Sequence, residues 1–559
     1  MRSRRTAIVA VTTVALVALA GCGGIPSGGP VQSGQFIDEA EDIKVGYAPG
    51  GPQAGDDQRA ILQGFINAAT NPADNYAVAK QFLSESSKDE WNPDALTQIR
   101  TDAGVPRADS ETAGTYTLTS SAYVNDKGQY VEDEEPTSQI LQFGFEQDQD
   151  GEWRISSAPP GIVLSQASFD SIFDARSLYF FDPSDEYLIP DLRWFARTNL
   201  LATNVVKALL AGPSDWLQQG VTHTYFPTGT TLDSRVRIDS GVATVALSDQ
   251  ALDATPEQLE RMRQQLRDTI GAVSNVVITV NGVPLDASST LQLATVNPGV
   301  ENQLLVRRDD TVGFLSTSAT VSGFSGQADE LVQLGATDFT LSADSSRSAM
   351  LGPDGVYLVF TAAATALRVD DRPGLLAPTI DTAGFVWTVP AASAADIQAH
   401  DAEDGHFAIS APQLAGMQAV SFGISRDGAR ALILAMTELG PRLFVAGIVR
   451  ADGVPTQLGP LVSLPIAQSS RPLDATWVDD NSVASLSVLS GEDVSTVTVY
   501  EIGGPSKAIG SVAGGVAIVG GNLGIDGLRV LTSEGAIYRS RGTGWADFGT
   551  TVTFIATQQ

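Results

Sequence analysis

Disulfides are excluded at the outset, because 559 residues carry a single cysteine, Cys22, and a lone thiol has no internal partner. Histidine is nearly as scarce. His223, His400 and His406 are the full complement, so with Cys22 set aside no Cys/His zinc site of the usual kinds can be assembled. Positive charge is also short: 34 Lys and Arg face 65 Asp and Glu, a formal net charge of −31. Nucleic-acid binding relies on basic side chains that displace phosphate counterions, and this balance excludes it. A polybasic membrane-surface mode is disfavoured for the same reason, and the acidity reads as solubility in a crowded envelope. Beyond the N-terminal stretch no run approaches the roughly 18 uninterrupted apolar residues that signal a spanning helix. No G-x-S-x-G elbow, Walker A loop or EF-hand loop occurs.

What is there begins at the N-terminus. Arg2, Arg4 and Arg5 form a basic head, and Ala7 to Ala20 form an uncharged apolar stretch of signal-peptide length. It is too short to cross about 30 Å of hydrocarbon comfortably. Leu19-Ala20-Gly21-Cys22 looks like a bacterial lipobox, with residues 1–21 as the leader and Cys22 as the lipidated first residue of the mature chain. An ordinary secretory signal with an incidental cysteine, or an uncleaved anchor, is the plainer alternative. The start Ser3-Arg4-Arg5 leaves general and twin-arginine export both open. Residues 22–57, rich in Gly, Pro, Ser and Asp, read as a flexible tether with about 30 Å of coil reach.

A first α+β domain is predicted over 58–175. Ile61, Leu62, Phe65 and Ile66 keep helical spacing; Asn71-Pro72 signals a second helix through Tyr76, Ala79, Phe82 and Leu83. Strands follow at 115–124, 138–147 and 152–159 around the turns NDKG and DQDG. The run Glu132-Asp133-Glu134-Glu135 reads as a solvated loop. A second α+β domain is predicted over 176–295: the strand SLYFFD, a helix whose stripe is Leu201, Val205, Leu209 and Leu210, the hairpin RVRI-DSG-VATVAL, a helix opened by the capping box Thr255-Pro256-Glu257-Gln258, and the hairpin VVITVNGVPL. From 300 to 559 short apolar strands recur with Asp/Gly turns, and S-x-D-x-x-R repeats as Ser342-Asp344-Arg347 and Ser425-Asp427-Arg430. At 40 to 45 residues per blade this predicts a β-propeller of about six blades, with a β-sandwich pair as the alternative. The fold class expected is therefore multidomain: two small α+β domains followed by an all-β propeller.

No catalytic, cofactor-binding or metal-binding residue is nominated. His400 and His406 flank Asp401, Glu403 and Asp404 in AHDAEDGH, but the segment reads as a surface loop with nothing to fix ligand geometry. The glycine-dense Gly514 to Gly527 segment has no helix after it and is read as turns, not a nucleotide cradle. Trp194, Phe195 and Trp216 in the second domain, and Trp387, Trp477 and Trp545 in the third, are assigned to packing, with the lining of a ligand cleft as the alternative.

The lipobox followed by IPSGGPVQ, then YAVAKQFL and WNP, VVKALLAGPSDWL, DSGVATVALSD and the degenerate propeller together resemble the actinobacterial lipoprotein LpqB family. Residues 178–290 resemble a GerMN domain. The resemblance implies a lipoprotein on the extracytoplasmic face of the cell membrane, and the residues by themselves point to a non-enzymatic chain without a cofactor. The resemblance further implies binding to the extracellular sensor domain of an MtrB-type histidine kinase, with effects on cell division and cell-wall homeostasis. A binding module for a cell-wall glycan or peptide is the competing expectation, and a propeller hydrolase a third.

Overall fold

A computed structural model describes residues 49–558 apart from 219, 287–290, 301–302, 317, 324–327, 361–364, 522 and 543. The leader, the lipobox residues Leu19, Ala20 and Gly21, Cys22 and most of the tether lie outside the described residues.

In the first domain the carboxylate of Asp57 accepts from the N–H of Ala60 at 2.8 Å, capping a helix, Gln58–Ala68, that buries Ile61, Leu62, Phe65 and Ile66. The second expected helix shrinks to Ala77–Lys80. Asp74, Asn75 and Tyr76 take positive φ ahead of it. Behind it, Phe82 and Ser84 leave to exchange 2.9 Å backbone hydrogen bonds with Ile155, so long-range pairing overrides helix propagation. The sheet runs Trp153–Ser157, Tyr130–Gln147, Ala113–Asn125, Leu96–Arg100, Ile162–Ser165. Glu132 to Glu135 are not a loop: they lie inside the Tyr130–Gln147 strand. This stretch lies beyond the part of the strand paired with Trp153–Ser157, and charges there discourage edge-to-edge association.

The second domain opens with a hairpin, Phe173–Phe181 against Tyr187–Ala196. A helix, Leu201–Ala211, follows. Val242–Leu247 then pairs in parallel with Asn275–Val280, and the helix between them, Pro256–Ile270, is opened by the Thr255/Gln258 capping box. Parallel neighbours require such a crossover. Leu178, Phe180, Val206, Leu209, Met262 and Leu266 meet in one core.

Beyond residue 300 the described strands form six four-stranded sheets. Their innermost strands, Asp338–Leu341, Thr379–Ile380, Gln418–Ile424, Arg471–Trp477, Gly515–Gly521 and Phe554–Ala556, pack each on the next around a ring. Phe554–Ala556 pairs antiparallel with Leu304–Arg308, so the two ends of the region share one blade and clasp the ring. The sandwich alternative is thereby replaced by a propeller. Both S-x-D-x-x-R segments build the same turn. Ser342 Oγ donates to Asp344 at 2.6 Å and Ser425 Oγ to Asp427 at 2.5 Å. The same serines accept from the N–H of Arg347 and Arg430 at 3.2 and 3.1 Å.

Asp338 and Asp474 stand on innermost strands of opposite blades. Asp474 accepts from Ser421 Oγ and from the N–H of Ile518, both at 2.8 Å, tying its strand to both neighbours. Burial pushes both carboxyls up to about 6, and the charge of Asp474 adds to the effect on Asp338. Stability from a raised carboxyl pKa is complete below the unfolded value of about 3.9 and is lost as pH rises through the folded one. The denaturant midpoint is therefore expected to gain from these groups as pH falls from about 7 toward about 5, and Asp338→Asn to flatten that gain. A pH profile identical in variant and parent would show that the axial carboxyls do not titrate in this window.

Candidate functional site

The three domains meet on the strand Tyr187–Ala196. The NDKG turn of the first domain is shaped by Asn125, whose side chain accepts from the N–H groups of Lys127 and Gln129 at 3.0 Å each. Gly128 at its end has φ 77°. A Cβ there would lie 3.0 Å from the carbonyl oxygen of Trp194, and this close approach lets Trp194 N–H donate to Gly128 at 2.7 Å.

Beside the turn, Arg193 forks onto Asp191 with contacts of 3.1 and 2.7 Å, and both side chains are only 4% exposed. The remaining valences are filled across the domain boundary. Arg193 Nη1 donates to the carbonyl of Lys127 at 2.7 Å. Ser214 donates to Asp191 through its N–H (2.7 Å) and its hydroxyl (2.8 Å), while Gln129 donates to Ser214 Oγ at 2.8 Å. A buried pair is tolerated only with such further hydrogen bonds. Trp194 reaches the propeller, its indole N–H donating to Gly503 at 2.8 Å. Glu132 does the same from the first domain, accepting from the N–H (2.9 Å) and hydroxyl (3.1 Å) of Ser506; burial raises its pKa.

Apolar packing completes the joint. Ile189, Trp216, Leu217 and Val221 share a core with Leu432, Leu434, Leu443 and Val445 of the fourth blade, each side chain contributing roughly 2 kcal/mol. Gly447 is required there, since a Cβ would come 2.5 Å from the Trp216 carbonyl oxygen.

Next to this junction a cleft of about 430 Å³ opens between the first two domains, within the size range of ligand sites. It is lined by Asp94 and Thr97 and the NDKG turn of the first domain, and by Trp194, Phe195 and Asn204, Lys207 and Ala211 of the Leu201–Ala211 helix of the second. Burial raises the pKa of Asp94, opposed by the weaker influence of Lys80. Trp194 and Phe195 pack against the cores of the first and second domains and also line this space. The usable sequence signal is a polar turn, NDKG, and a helix-ending GPSD that a strand carrying paired charges brings together.

The histidines fall elsewhere. His223 lies 3.0 Å from Asp185. The AHDAEDGH segment is not simply a surface loop: His400 is on a strand, Gln398–His400, and is 1% exposed. Its Nδ1 lies 2.8 Å from Nδ1 of His406 and its Nε2 2.9 Å from Thr388 Oγ1. Thr388 donates to Asp370 at 2.6 Å. Against the opposing effect of burial, hydrogen bonds from His400, Arg372 and Thr388 hold the Asp370 carboxyl well below its usual range. No group of three or more His, Cys, Asp or Glu suited to a metal ion occurs among the described residues.

Three family models match in succession: "Lipoprotein LpqB, N-terminal domain" over residues 51–170, "Sporulation and spore germination" over 177–286, and "Lipoprotein LpqB beta-propeller domain" over 305–553. Among curated relatives, Lipoprotein LpqB of Thermobifida fusca is 26% identical over 600 residues, covering 92% of each chain. Lipoprotein LpqB of Cutibacterium acnes is 29% identical over 294 residues, covering 52% of this chain and 49% of its own. Among solved structures, the tandem GerMN domains of the sporulation protein GerM from Bacillus subtilis align at 18% identity and a TM-score of 0.17, over 25% of this chain and 58% of theirs.

Proposed function

Because the chain belongs to the LpqB lipoprotein family, we propose that it is a non-enzymatic accessory regulator held by a lipid on Cys22 at the extracytoplasmic face of the cell membrane. In this reading its body docks on the extracellular sensor domain of an MtrB-type histidine kinase, and through that kinase affects cell division and cell-wall homeostasis. The observation that supports it most is the joint described above. Three domains locked by buried polar and apolar contacts form one body, in which the second domain packs on the fourth and fifth blades. Turns of other blades are exposed, Thr382 and Leu523 among them, which leaves a broad surface for a protein partner.

Crosslinking in intact cells, followed by capture of the lipoprotein and mass spectrometry, tests this. Linkages between the propeller and the extracytoplasmic part of a histidine kinase are the expected result. Recovery of wall fragments with no kinase would remove the regulatory reading and leave the second one, a module that binds a cell-wall glycan or peptide, which the cleft between the first two domains favours.

A further inference from the structure

The chain has six lysines: Lys44, Lys80, Lys88, Lys127, Lys207 and Lys507. Two of them, Lys127 and Lys207, line the same cleft from different domains, and a third, Lys80, stands close enough to Asp94 on its wall to influence that carboxyl. In a chain of net charge −31, scattered solvated lysines do not account for such convergence. Lys88 is the only lysine in an ion pair among the described residues, with Glu85, so the Lys127 and Lys207 ammonium groups are free to meet a ligand's negative charge.

The type of anion follows from what is already engaged. The Arg193 guanidinium is occupied by Asp191, Ser214 and Lys127, so it cannot fork onto a phosphate. The N–H groups of Lys127, Gly128 and Gln129 are turned inward onto Asn125, so the turn offers no nest of amides for a phosphate either. What remains among the cations is two mobile point charges, set on a lining that also carries the carboxylates of Asp94, Asp126 and Asp215. One helix face carries Asn204, Lys207, Ala208 and Ala211 at i, i+3, i+4 and i+7, placing a carboxamide beside an ammonium above methyl-sized relief. Trp194 and Phe195 also line the cleft. That set matches an amide group, a small apolar side chain and a terminal carboxylate.

We propose that this cleft is a receptor site for short peptides or acylated amino acids ending in a free carboxylate, with Lys127 and Lys207 holding the carboxylate and Asn204 an adjacent amide. The proposal rests on the ligand-binding reading of the cleft and is independent of kinase docking.

The test is calorimetric titration of the full-length lipoprotein in detergent with a panel of N-acetyl dipeptides, each as free acid and as carboxamide, alongside inorganic phosphate and a neutral chitooligosaccharide. The acids are expected to bind saturably and the carboxamides about a hundredfold more weakly, the cost of two charge-assisted contacts. Lys127→Gln and Lys207→Gln are each expected to weaken the acids by about tenfold. Both side chains are exposed, so the unfolding midpoint should stay unchanged, and the double variant should no longer distinguish acid from amide. Equal binding of acid and amide, undiminished binding by the lysine variants, or tighter binding of phosphate would overturn the carboxylate assignment. Binding of the chitooligosaccharide alone would overturn it while leaving the cleft a ligand site. Binding of nothing on the panel would remove both.

Discussion

Arg193→Ala is expected to lower the free energy of unfolding by about 3–5 kcal/mol, because it strands the Asp191 carboxylate without its partner in a buried site. The two side chains are each 4% exposed, so water cannot replace the guanidinium. The loss should also be felt across the domain boundary, since Arg193 donates to the Lys127 carbonyl at 2.7 Å and to Ser214 Oγ at 3.1 Å, the oxygen that also accepts from Gln129 of the first domain. Chemical denaturation gives the magnitude, and limited proteolysis shows whether the first domain loosens from the second. In a double-mutant cycle with Asp191→Asn the two losses should be strongly non-additive, because the second substitution removes the charge that the first left unpaired. A single-variant loss below about 1 kcal/mol, the size of an exposed pair, would mean that the junction is not held in this way.

Cys22→Ser is expected to move the protein from the membrane fraction into the soluble one. Lipid anchoring contributes about 0.8 kcal/mol for each buried methylene, and no helix among the described residues is long and apolar enough to cross a membrane. Nothing else described on the chain supplies a comparable tether. Fractionation with fatty-acid labelling checks this directly. A Cys22→Ser protein that stays with the membrane, its leader removed and no acyl chain attached, would end the lipoprotein account of where the molecule works.

Several elements were legible because their cause lies within a few residues of themselves. The Gln58–Ala68 stripe, the Thr255 capping box and the Asp239-Ser240-Gly241 reversal between Arg237–Asp239 and Val242–Leu247 depend on local spacing, a side-chain cap and a turn that needs positive φ. The paired S-x-D-x-x-R segments belong with them, since each serine and aspartate closes its own turn. The strand Tyr187–Ala196 was not legible. Pro190, Asp191 and Arg193 interrupt its apolar pattern, and only the ion pair buried with Ser214 makes them compatible with an interior strand. Glu132 misled for a related reason: an acidic run reads as loop, yet one carboxylate in it finds Ser506 on a distant blade.

The amino-acid sequence by itself determined the order and class of the three domains and the turns and caps within them, because those rest on periodicities and hydrogen bonds that close over a turn or two of chain. Only the tertiary structure decided that Phe554–Ala556 clasps Leu304–Arg308, that Trp216 seats on the fourth blade, and that Lys127 and Lys207 face one cleft. Each of these joins groups far apart along the chain, and such pairings are selected by the burial and mutual satisfaction of surfaces that do not exist until the domains have packed.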